Sequence, residues 1–112
     1  MKSLAELKQP IKEALLSVTE NVGEFEPLDG TTTHVVFQLD TETSSLSADN
    51  KKLEREINGS IDLYALHKDI GMADQIEQAL NERQVIFHLN TVLSGDGAKR
   101  QFIHFEWIFE VM

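Results

Sequence analysis

The chain has 112 residues, of which 41% are hydrophobic and 26% charged, the composition of one compact globular domain (residues 1–112) and not of a disordered segment. Ten Lys plus Arg against 19 Asp plus Glu give a formal charge of −9, with acids spread along the chain, so the basic stripe that a nucleic-acid-binding module needs is missing. Cysteine is absent, which excludes disulfides, thiolate metal sites and a cysteine nucleophile, and no apolar run reaches the roughly 18–20 residues that cross a bilayer.

Met1-Lys2-Ser3-Leu4-Ala5-Glu6 meets an acid too early for a signal-peptide core, so a chain that is not exported through such a leader is expected. Leu4, Leu7, Ile11, Leu15 and Val18 then recur at spacings of three and four with Ala14 beside them, which predicts an amphipathic helix. Ser3 and Glu6 have the spacing of a capping box. Pro10 leaves two versions open: the helix kinks there, or it begins near Gln9 with Pro10 in its first turn. Gly23, Pro27, Gly30 and Thr31-Thr32 read as a loop, followed by a strand over His34–Leu39.

Residues 41–50 are rich in Ser and Thr with Leu46 isolated among them, which predicts a long exposed loop. Lys51–Ile57 reads as a helical turn or the start of a strand, Asn58-Gly59 as a turn, and Ile61–Leu66 as the second strand. Met72, Ala73, Ile76, Ala79 and Leu80 form one stripe of a second helix, started by Asp69 or Gly71, with its acids and amides on the solvated side. Val85–Leu93 and Phe102–Val111 form a hairpin around a turn at 94–101. In the last segment Ile103, Phe105, Trp107, Phe109 and Val111 alternate with His104, Glu106, Ile108 and Glu110, so one face is buried and the other wetter. The fold expected is α+β: a mainly antiparallel four-stranded sheet with two helices packed on one face, in the order α-β-β-α-β-β.

Chemistry-bearing motifs are few. With Val85, Phe87 and Leu89 sharing the core face with Ile103, Phe105 and Trp107, His88 and His104 emerge together on the opposite face near Glu106, a set of ligand types that suits zinc or iron. Ligand spacing of the usual kind is absent, and neither a metal nor a cofactor is expected. No serine lies in a nucleophile elbow, and Gly95-Asp96-Gly97 lacks the lysine and the helix of a phosphate loop. Paired acids such as Glu24/Glu26 and Glu54/Glu56 read as solvated charge, so the chain reads as a non-enzyme. Phe102 and Ile108 share the wetter face with His104 and Glu106, which points to an apolar element or a neighbouring subunit covering it.

The order of elements also carries a resemblance. An N-terminal helix, the strand His34-Val35-Val36-Phe37, a polar loop ending in Ala48-Asp49-Asn50, the strand Gly59-Ser60-Ile61-Asp62-Leu63-Tyr64, a helix containing Ile76 to Leu80 and a terminal hairpin resemble the small tail-completion proteins of tailed bacteriophages and prophages. These are the tail terminator, minor capsid and head–tail joining proteins. The likeness spans nearly the whole chain, and the Ile-Asp-Leu-Tyr strand before a short acidic helix is its most telling piece. It implies a structural protein that closes into a ring, six-fold, on the head-proximal end of the tail tube. Its partners would be other copies, the tube protein and the head connector, in the host cytoplasm during assembly and then in the virion tail, with DNA passing through unbound and no membrane involved.

The interface residues expected on these grounds are Phe102, His104, Glu106 and Ile108 on the wetter face, Leu46, Asp49 and Lys51 in the first polar loop, and Asp96, Lys99 and Arg100 in the second. The competing expectation is a small acidic cytosolic binding or regulatory module that docks on a basic protein.

Overall fold

The computed structural model describes residues 2–42, 56–95 and 101–112. Helix α1 spans Leu4–Leu16, followed by strands β1 (Val22–Glu24), β2 (His34–Glu42) and β3 (Ile57–Leu66), a 3₁₀ turn at His67–Asp69, helix α2 (Met72–Glu82), and strands β4 (Ile86–Ser94) and β5 (Phe102–Val111). The strands form one mixed sheet in the order β1-β2-β3-β5-β4, with β1 parallel to β2 and every other pairing antiparallel. The α+β class therefore holds, but the described residues form a mixed sheet of five strands in the order α-β-β-β-α-β-β, not four strands in the order α-β-β-α-β-β. The additional strand is three residues long and carries Gly23, which is why composition reads it as loop.

Both helices pack on one face. Leu7, Ile11, Ala14 and Leu15 of α1 and Ala73, Ile76, Ala79 and Leu80 of α2 close over Val35, Phe37, Ile61, Leu63, Ala65, Trp107 and Phe109 of the sheet. The capping box is present: the Glu6 N–H donates to Ser3 Oγ and the Ser3 N–H to Glu6 Oε1, both at 3.2 Å. Of the two versions left open by Pro10, the helix starts at Leu4 and runs through the proline, which leaves the Glu6 carbonyl without its intrahelical donor. Leu4 lies off the buried stripe, 49% exposed.

Glu77, expected on the solvated side of α2, instead accepts a 2.8 Å hydrogen bond from Trp107 Nε1. The indole is fully buried, and its one donor needs a partner there, so the carboxylate turns inward. Asn58-Gly59, expected as a turn, lies within β3. A Cβ on Gly59 would stand 2.3 Å from Phe109 Cζ and 2.4 Å from the Gln38 carbonyl oxygen, so glycine is present for close approach and not for turning. Gly23 has a similar role, since a Cβ there would lie 1.8 Å from the Glu26 carbonyl oxygen where the chain folds back. That return passes through Phe25 at φ 68°, a left-handed conformation that is uncommon for an aromatic residue.

Among the described residues, no helix is long and apolar enough to cross a membrane.

Candidate functional site

The face of the sheet opposite the helices carries the polar chemistry. Register places His34 beside Tyr64 and Tyr64 beside His104 on three adjacent strands. Strands lie about 4.8 Å apart, so flat rings at one level on one face are brought to stacking distance. His34 and Tyr64 stack with centroids 5.0 Å apart and planes 17° from parallel, and Tyr64 and His104 stack at 4.4 Å and 6°. Phe102 meets His34 edge-on at 5.5 Å.

His34 is buried, and its Nδ1 lies 2.7 Å from the Thr32 carbonyl oxygen. A carbonyl only accepts, so Nδ1 carries the hydrogen. Thr33 ties the adjoining loop down: its hydroxyl donates to Asp69 and accepts from the Leu66 N–H.

Carboxylates flank the ring stack. His104 Nε2 sits 2.7 Å from Asp62 Oδ1, and Glu106, the β5 neighbour of Asp62, accepts a 2.7 Å bond from Asn90 Nδ2. Burial raises the Asp62 pKa above the ordinary aspartate value, the charges of Glu106 and Asp40 add to this, and the His104 hydrogen bond opposes it. Tyr64 is raised by burial first and then by the charges of Asp62 and Glu106. A recess of about 200 Å³ opens beside the stack between Phe25, Pro27, Val36 and Asp62.

None of the five strands contains a Lys or Arg, while Asp62, Glu106 and Glu110 stand on this face by register. Among the described residues, the ten cations of the sequence are represented by Lys2, Lys8, Lys12, Lys68 and Arg83, all outside the strands. The face is thus acidic by placement as well as by net charge.

His104, Glu106 and Ile108 fall together on this face, half-buried, as the alternation predicts. Phe102 shares the face but is only 2% exposed, covered by its own chain, so the single chain presents no Phe102 surface to a partner. Leu46, Asp49, Lys51, Asp96, Lys99 and Arg100 lie outside the described residues.

His88 and His104 are not brought together. His88 pairs with Ile108, four positions from His104 and about 13 Å along the strand. His104 is occupied by Asp62 and Tyr64 instead, and among the described residues no three His, Cys, Asp or Glu side chains could hold a metal ion. Leu89, expected in the core, is 44% exposed on the outermost strand.

Sequence reading missed the group formed by His34, Asp62 and Tyr64. Its signal lay in the alternation of Asp62 and Tyr64 with Ile61 and Leu63, but the level of His34 and His104 depends on strand register. No protein-family model matches the chain, and no curated protein matches it.

Proposed function

We propose that this chain is a structural assembly protein of a phage or prophage tail, of the tail-completion type, which closes into a ring at the head-proximal end of the tail tube. The observation that carries the reading is a five-stranded sheet without a Lys or Arg, with both helices on one face and Asp62, Glu106 and Glu110 on the other. Turned inward in a ring, that face makes a wall of one charge sign past which DNA slides without adhering. The stacked His34, Tyr64 and His104 brace this wall across three strands. The order of elements, with the Ile61-Asp62-Leu63-Tyr64 strand ahead of a short acidic helix, supports the same reading.

In this reading His104, Glu106 and Ile108 line the wall, and the chain works with copies of itself, the tube protein and the head connector. It is made in the bacterial cytoplasm and ends in the virion tail. The same acidic face supports the competing reading of a module for a basic protein partner. Electron microscopy of the purified chain, alone and with tail tubes, separates the two. Rings, or tubes capped at one end, support the tail reading. A monomer that leaves tubes uncapped and binds a basic protein supports the module.

A further inference from the structure

Among the described residues, the two ends of the sheet are unlike each other, and each is open. At one end β4 is the outermost strand, with no Asp, Glu, Lys, Arg or Pro among its nine residues. Ile86, Leu89, Val92 and Leu93 on it are 55%, 44%, 50% and 57% exposed. A long, uncharged, apolar edge is what isolated proteins avoid, because its free N–H and C=O groups template pairing with another strand. At the other end, among the described residues, β1 pairs with β2 only from Val35 to Phe37, and β2 continues to Glu42. Beside that stretch opens a groove of about 410 Å³, lined by the apolar Leu4, Phe25, Leu39 and Ile57 and rimmed by Lys8, Glu24 and Asp40.

We infer that the start of the β4 edge of one copy pairs with the Gln38–Thr41 edge of β2 in the next, which the described residues leave open, with Phe87 of β4 at the level of Leu39 on the groove's face of the sheet. This rests on the ring reading and names its contact. Three observations select a second copy as the occupant. First, β4 runs antiparallel to β2 within the sheet, so a head-to-tail continuation sets antiparallel strands side by side and keeps helix face with helix face. Second, β4 is a neutral strip on a chain of charge −9, the place where copies approach with least repulsion. Third, the edge and the groove lie on opposite ends of one molecule, so the contact is heterologous and repeats, which closes a ring when the rotation allows. In register Ile86, Glu110, Asn58 and Thr41 stand at one level across the sheet, while Leu89 stands at the level of Phe37, which β1 already pairs, so Ile86–His88 is the pairing stretch. Continuation without stagger therefore sets Ile86 opposite Thr41 of the next copy.

The absence of cysteine makes the test direct. A chain carrying both Thr41→Cys and Ile86→Cys is oxidised and run without reductant. Within one chain the two positions lie about 14 Å apart across three strand spacings. That exceeds the roughly 4.4–6.8 Å that a disulfide spans, so any bond joins two copies.

The expected result is a ladder extending beyond two copies, reversed by reductant, with each single-cysteine chain left unlinked. A covalent dimer from Ile86→Cys alone would mean that β4 pairs with itself and would overturn the inference. Rings that form while the double variant stays unlinked would overturn this contact and leave the ring reading standing. A chain that neither links nor assembles would overturn both. Ile86→Lys, at an exposed position within the pairing stretch, provides a second measurement. It is expected to raise the concentration needed for assembly about tenfold or more while leaving the circular dichroism of the single chain unchanged, and unaltered assembly would count against the contact.

Discussion

Asp62 accepts a hydrogen bond from His104 at 2.7 Å while standing directly beside Glu106 on the next strand. One neighbour favours its charge and the other opposes it, and burial is the largest influence, holding its pKa above the ordinary 3.8. The folded chain therefore binds this proton more tightly than the unfolded chain does. The stability contributed by Asp62 is present in full at and below the unfolded value and is lost as pH rises through the raised folded value. Asp62→Asn does not titrate and retains an oxygen to accept from His104. Urea unfolding of both chains from pH about 4 to about 8 is expected to show the variant gaining on the wild type with rising pH and then levelling off. Parallel curves would contradict the assignment.

The bond from Trp107 to Glu77 holds helix α2 to the sheet through the only tryptophan in the chain. Glu77→Ala strands a fully buried N–H and is expected to cost about 1–3 kcal/mol, whereas Glu77→Gln keeps an acceptor and costs less. Denaturant unfolding followed by tryptophan fluorescence measures both. Equal losses would show that the hydrogen bond is not what Glu77 contributes.

At Gly59 the nearest obstacles to a methyl group are the Phe109 ring and a main-chain oxygen, and neither yields easily. Gly59→Ala is expected to destabilise the fold by about 1–3 kcal/mol or more, despite the usual gain from replacing glycine in a strand. Thermal unfolding checks this, and a neutral or stabilising effect would contradict the close approach of β3 to Phe109.

Pro10 lies within α1, where a proline costs about 3 kcal/mol relative to alanine. Its removal returns up to about 1 kcal/mol of freedom to the unfolded chain. Pro10→Ala is therefore expected to stabilise the protein by about 2 kcal/mol in urea unfolding. Destabilisation would show that the ring is needed in packing.

What could be read without coordinates follows the range of each signal. The stripes Leu7-Ile11-Leu15 and Ala73-Ile76-Leu80 and the alternation from Ile103 to Val111 are local periodicities, and the structure places the two stripes and Trp107, Phe109 and Val111 in the core, with Phe105 partly buried against it and Ile103, expected there, outside it. Strand β1 escaped because three residues around a glycine carry no period, and its pairing with β2 is set from a distance. Gly59 was misread because glycine marks both turns and close approaches, and only the position of Phe109 distinguishes them. The separation of His88 from His104, and the meeting of His104 with Tyr64 and Asp62, depend on cross-strand register. A register shift at Asn90 moves one side of that account without any trace in composition.

The central claim is that copies of this chain assemble head to tail into a closed ring. Native mass measured across protein concentration tests it most directly. The account predicts that one discrete ring-sized species, close to six copies, builds up at the expense of the single chain without an open series of larger ones. A monomer at every concentration that also leaves tail tubes uncapped, or a species that stops at two copies, would contradict it.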